Sequence, residues 1–329
     1  MSGYIVRRLI SMVVMLLLLT LIVFLLFSVL PADPARLTCG KACTPAVIEA
    51  NRHNLGLDLP LWQQYWYYLK GIFVGRTYGS GDTPTICNAP CLGYSFKRNE
   101  EVTTLIKEGF PATFWLAIGA FVIWITVGVT AGIFAALRRG KWQDKAIMGV
   151  ALIGYSLPSF FIGLVLLFFV VLRWEWLPYP SYVSPFEDPK AFFQAMILPW
   201  IVLAILYAAF YMRLTRNQML DTMGEDYIRT ARSKGLPERV VIGKHGLRAG
   251  LTPLVTAAGL DLAGLLGGAI ITESIFSLPG LGSLAVSSVV DSDLPLIVGI
   301  TLVTATFVIA ANLIVDLLYA VIDPRVRLV

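Results

Sequence analysis

The stretch LISMVVMLLLLTLIVFLLFSVL, Leu9–Leu30, decides the fold class. It runs 22 residues without a charge. A bilayer core of about 30 Å needs about 20 apolar residues as helix. Arg7 and Arg8 precede the run and Pro31 follows it. A signal peptide has the same order of parts, but its apolar segment is only about 7–15 residues long. The run therefore reads as an uncleaved membrane anchor.

The rest of the chain agrees. Of 329 residues, 57% are hydrophobic and 14% charged, against about 25% charged in a soluble domain. The mean hydropathy is +0.74. This balance excludes a disordered chain, a basic nucleic-acid-binding domain and a typical soluble enzyme. Five further apolar runs follow: Phe110–Leu137, Ala146–Leu172, Ala191–Met212, Gly250–Thr272 and Pro295–Ile322. Six spans make an all-α polytopic membrane protein with both termini on one side.

The net charge of +5 is then a topology signal. With the N-terminus inside, the cytoplasmic segments hold 16 Lys and Arg, and the outer segments hold 10. Eight of those 10 sit in one long loop, and long loops weigh little in the positive-inside rule. The expected orientation places both termini in the cytoplasm.

Residues 31–109 form the largest non-membrane piece and hold all four cysteines, Cys39 and Cys43 in CGKAC and Cys87 and Cys91 in CNAPC. Paired cysteines can hold zinc. An extracytoplasmic compartment is oxidising and favours two disulfides instead, with three connectivities open. The segment LWQQYWYYLK, Leu61–Lys70, clusters Trp62, Tyr65, Trp66, Tyr67 and Tyr68. Such a cluster suits a helix at the membrane interface, and packing against the spans is the plainer alternative.

The loop Arg213–Arg248 is longer than a connector requires. Gln218–Lys234 is helix-compatible, with Tyr227, Ala231 and Gly235 on one face. Gly235 suits a helix stop and Pro237 the first turn of a second helix, Pro237–His245. A basic connector held at lipid headgroups is the bland reading.

Here the chain resembles a known family. EDYIRTARSKGL, Glu225–Leu236, resembles the "EAA" coupling motif of bacterial ABC importer permeases, in the form of the dipeptide, oligopeptide and nickel branch. Glu225, Ala231 and Gly235 match the motif's Glu, second Ala and Gly; Thr230 stands where the general motif prefers Ala. YIVRRLI (Tyr4–Ile10), ESIFSLPGLG (Glu273–Gly282) and DLLYAVIDPRVR (Asp316–Arg327) are similar to other segments of that branch. NLGLDLPLWQQYWYYL, Asn54–Leu69, is similar to its B-type subunit. The cysteine-bearing segments 39–43 and 84–91 match nothing in it.

The resemblance implies a type I ABC importer permease fold with a cysteine-containing insertion after the first helix. The implied division is residues 1–30, the outer region 31–109, the five-helix core 110–322 and the tail 323–329. Glu225, Asp226, Tyr227, Arg229, Ala231, Lys234, Gly235 and Leu236 would couple to a separate ATPase subunit. Glu273, Phe276, Pro279, Gly280 and Gly282 would meet an extracytoplasmic binding protein. A second, C-type permease and two ATPases, which hold ATP and Mg, would complete the complex in the bacterial inner membrane. Peptides are the expected substrate, with nickel or another small solute as the alternative.

Polar residues within spans mark pathways or satisfied packing contacts. Asp261, Gly264, Gly267, Gly268 and Asn312 are the pathway candidates, with tight packing the alternative for Asp261. Asp316 lies near the cytoplasmic end and suits pairing with a loop arginine. Pro158 is expected to kink the third span. No G-x-x-x-x-G-K-[ST], H-E-x-x-H or G-x-S-x-G sequence occurs. The chain reads as a non-catalytic permease with no metal site of its own. The rival is an ion-coupled secondary transporter, which predicts internal repeats that the sequence does not show.

Overall fold

The computed structural model describes residues 2–29, 35, 44–54, 56–78 and 85–322. Cys39, Cys43 and the tail 323–329 lie outside the described residues, as does the side chain of Asp316.

Helix α1 (Ser2–Val29) carries the first apolar run. Two shorter helices follow, α2 (Pro45–Asn54) and α3 (Leu61–Val74). A small knob comes next. Strands β1 (Arg76–Tyr78) and β2 (Thr85–Cys87) pair antiparallel, with Arg76 opposite Cys87. Strands β3 (Tyr94–Ser95) and β4 (Glu100–Glu101) form a second pair. A disulfide joins Cys87 to Cys91, and both cysteines are buried beside Tyr78 and Tyr94.

Helix α4 (Val102–Leu137) starts eight residues before the expected span, because the chain leaves β4 directly into helix. Helices α5 (Trp142–Ser156) and α6 (Ser159–Leu166) follow, and α6 continues into a wider helical turn, Leu167–Arg173. The chain bends by 95° between α5 and α6, at the Pro158 expected to kink it. Proline lacks the N–H and clashes with the preceding turn. Helix α7 (Pro189–Gly224) is capped by Asp188, whose Oδ1 accepts the Ala191 N–H.

Helix α7 runs twelve residues past the expected end of its span, with no break until Gly224. Gln218–Gly224 therefore belongs to this long helix and not to the loop helix. Next come α8 (Asp226–Ser233), α9 (Glu238–Val240, widening through Val241–Leu247) and α10 (Arg248–Leu266). The chain ends in α11 (Ile270–Ile275), α12 (Leu281–Val290) and α13 (Leu294–Ile322).

Helices α1, α4, α7 and α13 are long and apolar enough to cross a membrane, and the bent α5–α6 pair makes a fifth when counted as one broken span. The remaining expected run is shorter than drawn from sequence. It stops at Leu266, and Gly268, at φ +120°, turns the chain into the separate helix α11.

The core lies where α4 crosses α7. Beta carbons added at Gly128 and Gly132 would come within 2.7 and 2.6 Å of Tyr211 and Thr215, so the two backbones meet closely through glycine. Trp124 is fully buried there and stacks on Tyr207, centroids 4.5 Å apart. Trp200 Nε1 donates to the Trp115 carbonyl at 2.9 Å. Such small-residue crossings let apolar helices associate by van der Waals packing without a hydrophobic drive.

The bundle has two unlike ends. At one, the knob sits on α12 and α13: Ser95 donates to Asp293, and Arg98 reaches Ser287 at 2.8 Å and Asp291 at 3.3 Å. The other is the basic end, where Arg138 and Arg139 follow α4 and Arg213 and Arg216 lie in the last third of α7.

Candidate functional site

The site is the turn that leaves α7 at the basic end. Glu225 is extended (φ −70°, ψ 151°) and starts α8. Ile228 and Ala231 face inward and are buried with Val241 and Met223. Ala231, expected on one face with Tyr227 and Gly235, thus packs on its own chain. Tyr227, one residue before Ile228, is 44% exposed, and Glu225, Asp226, Arg229, Lys234 and Gly235 are exposed beside it. Leu236 is exposed at 37%.

The helix stops at Gly235, whose φ of +76° needs a residue without a β carbon. Gly235 N donates to the Arg232 carbonyl at 2.9 Å and Leu236 N to the Ala231 carbonyl at 3.4 Å. Arg232 then closes the turn, with Nη2 on Glu238 Oε1 at 2.7 Å and Nε on Oε2 at 3.3 Å. The Arg232 guanidinium holds the Glu238 carboxyl below the usual carboxylate range. Asp226 and Arg229 pair along the outer face at 3.4 Å. The result is a short helix fixed on its inner side, with an alternating-charge ridge and one tyrosine facing out.

Sequence reasoning missed two groups here. Asp144 is buried and accepts Arg216 Nε at 2.6 Å and Nη2 at 2.8 Å, with the Gly140 N–H at 3.0 Å. This clamp fixes the start of α5 to α7, eight residues before the end of α7. Its signal was one acid among the basic residues 138–145, together with Arg216 four residues past an apolar run. Ile228 was also missed, although it stands three residues before Ala231, on the same helical side.

At the knob end the expected docking segment is mostly interior. Of the five residues expected there, Glu273, Phe276, Gly280 and Gly282 are buried and Pro279 is exposed. Glu273 Oε1 accepts the Thr113 hydroxyl at 2.8 Å and the Ala269 N–H at 3.1 Å, and its Oε2 accepts the Ser283 N–H at 3.0 Å. Thr113 in turn accepts the Leu281 N–H at 2.8 Å. A β carbon at Gly282 would stand 2.9 Å from the carboxylate, so glycine lets the α11–α12 turn close around Glu273. An open cleft of about 290 Å³ lies beside this turn, lined by Arg98, Glu108, Pro279, Ser283 and Ser287.

The pathway candidates separate. Tyr211 Oη donates to Asp261 Oδ2 at 2.7 Å, joining α7 to α10. Gly267 and Gly268 serve packing: Thr304 covers Gly267 and donates to its carbonyl at 3.1 Å, and Gly268 abuts Gly282. Gly264 and Asn312 are exposed. An apolar groove of about 410 Å³ runs between α4, α10 and α13, lined among others by Phe121, Ile125, Leu254, Leu262, Ala311 and Ile314. None of the five candidates lines it. No group of three or more metal-ligating side chains gathers among the described residues.

Residues 128–328 match the family described as the binding-protein-dependent transport system inner membrane component. Residues 1–117 match the N-terminal part described for the same systems. The chain belongs to this family of ABC importer permeases. It is 37% identical over 329 residues to a peptide transport system permease protein of Brucella abortus, covering 99% of both chains. It is 38% identical over 327 residues to the glutathione transport system permease protein of Escherichia coli, again covering 99% of both. A methionine ABC transporter structure aligns with a TM-score of 0.49 at 19% identity, over 65% of this chain and 96% of that one. As a family permease the chain is an integral membrane, non-catalytic subunit of a transport system whose ATPase is a separate subunit.

Proposed function

We propose that the chain carries peptides into the cytoplasm by alternating access, powered by ATP hydrolysed in partner subunits. The observation that carries this reading is the exposed ridge of α8, seated by Ile228 and Ala231 at the foot of the 36-residue helix α7. A helix seated that way moves as one body with α7. Glu225, Asp226, Tyr227, Arg229 and Lys234 would enter a groove on an ATPase subunit, with Gly235 and Leu236 setting the shape of the turn. Closure of two ATPases around ATP and Mg would then displace α7 and its neighbours, a rigid-body switch.

The peptide cargo rests on the relatives, which are named for peptide and glutathione transport. A second, C-type permease would cover the apolar groove between α4, α10 and α13 and complete the pathway. The basic end faces the cytoplasm, with both termini there, in keeping with the 16 basic residues assigned to it. The knob end then faces outward, where the binding protein would dock over Pro279 and the cleft beside it.

The test is reconstitution of the chain with its second permease, ATPases and binding protein in liposomes. ATP-dependent uptake of labelled di- and tripeptides supports the reading. Uptake by the chain alone on an ion gradient, or ATP-dependent uptake of a metal ion but no peptide, overturns it.

A further inference from the structure

Helix α3 has two apolar faces, and among the described residues only one of them packs on protein. Tyr65, Tyr68 and Ile72 pack against Val23 and Phe24 of α1 and Val298 and Leu302 of α13. Tyr65 Oη donates to the Leu17 carbonyl at 3.1 Å and lies 2.9 Å from the Thr20 hydroxyl. The second face holds Trp62, Trp66 and Phe73, exposed at 69%, 62% and 79%. With about 3.6 residues per turn these three fall within a sector of about 40°. Lys70 and Gln63 adjoin this face, with exposed Tyr67 and Val74 beyond them.

The partners of the packed face fix the helix's depth. Val23 stands 14 residues beyond Leu9, about 21 Å along α1 by helical rise, in a core about 30 Å thick. Leu302 stands eight residues inside the knob-end start of α13, about 12 Å from that end. Tyr65 reaches Leu17 and Thr20, eight and 11 residues beyond Leu9, about 12 and 17 Å along α1; the packed face of α3 therefore spans from the bilayer centre toward the knob-side boundary. Helix α1 also carries exposed apolar residues, with Leu18 and Ile22 53% and 54% exposed.

We infer that α3 is an interfacial anchor whose Trp62–Trp66–Phe73 face is occupied by phospholipid of the knob-side leaflet. Indole rings favour the headgroup boundary, and a helix with one apolar and one polar side lies along that boundary. Lys70 extends its ammonium toward the headgroups while its stem stays on the apolar side. The anchor gives the knob a second fixed point. One is the Ser95–Asp293 and Arg98–Ser287 contact with α12 and α13. The other is α3, joined to β1 through Gly75. The knob is thereby held beside the mouth of the bundle. This inference rests on the membrane-spanning bundle and not on the import reading.

The test uses the assembled complex in nanodiscs made with phosphatidylcholine brominated either just below the headgroup or near the bilayer centre. Tryptophan emission is compared between the parent and a Trp62→Phe/Trp66→Phe variant. The expected result is that shallow bromine quenches the emission of these two residues more than deep bromine does, and that the variant loses this component. A photoactivatable phospholipid is also expected to crosslink to residues 61–74 of the unsubstituted chain. Emission from these residues that is insensitive to bromine but quenched by aqueous iodide overturns the inference. So does benzophenone crosslinking from position 66 to a protein subunit instead of lipid. Neither readout depends on peptide or ATP.

Discussion

The Asp144 carboxylate grips the Arg216 guanidinium through two bonds of 2.6 and 2.8 Å, tying the start of α5 to the last third of α7. Asp144 is 4% exposed. Removing one partner of a buried pair costs roughly 3–5 kcal/mol, because the other charge is left without compensation. Arg216 retains some solvent access, so Asp144→Ala is expected at the lower end of that range. A fall in the melting temperature of the purified complex measures it. The Asp144→Arg/Arg216→Asp exchange is expected to recover part of the loss.

Glu273 is held by three donors and has no cationic partner among the described residues. Glu273→Ala would strand the Ala269 and Ser283 N–H groups, at about 1–3 kcal/mol each. The α11–α12 turn should loosen, read as faster amide exchange at residues 269–284. Glu273→Gln should be milder, since one oxygen still accepts, while its NH2 meets the N–H of Ser283. Equal exchange in all three proteins would refute this role.

The Cys87–Cys91 disulfide closes a loop of only five residues, so its entropic effect is modest, about 2 kcal/mol. Cys87→Ser/Cys91→Ser should speed amide exchange in β1 and β2 and leave the long helices unchanged. Thiol labelling of the native chain should find neither of these two cysteines reactive until a reductant is added.

Much of the fold was legible because long uncharged runs have few other fates. The ends of the runs were less so. Nothing in the residues between Met212 and Gly224 breaks a helix, so α7 runs on through them. Ala231 read as a surface residue because its burial depends on Val241, ten residues further along the chain, joining the same cluster. Glu273 read as a surface acid for a similar reason: Thr113, which satisfies it, is 160 residues away. Long-range satisfaction of a polar group leaves no local periodicity.

The Arg232–Glu238 pair makes the turn after α8 sensitive to acid. Arg232 lowers the Glu238 carboxyl in the folded turn. A carboxylate with a depressed folded pKa stabilises above its unfolded value, about 4.3, and loses that effect as pH falls through the folded value. Amide exchange at residues 235–241 should therefore be pH-independent near neutrality, once intrinsic rates are removed, and should speed up in acid below that window. Glu238→Gln should abolish the acid step.

The outer ridge of α8 and the turn that stops it can be separated by mutation. At Gly235 nothing lies within 4 Å of an added β carbon, yet φ is +76°. Gly235→Asp therefore acts through backbone strain, of order 1–3 kcal/mol, and shifts the end of α8. Lys234→Glu and Glu225→Lys leave the backbone allowed and reverse charge on exposed residues. If the ridge docks in an ATPase groove, each should cut ATP-driven uptake by about tenfold, within the usual span of coupling energies. The melting temperature of the isolated permease pair should hold for both charge reversals and fall slightly for Gly235→Asp. Uptake at wild-type level in both charge reversals would show that the ridge is solvated and that coupling enters the chain elsewhere.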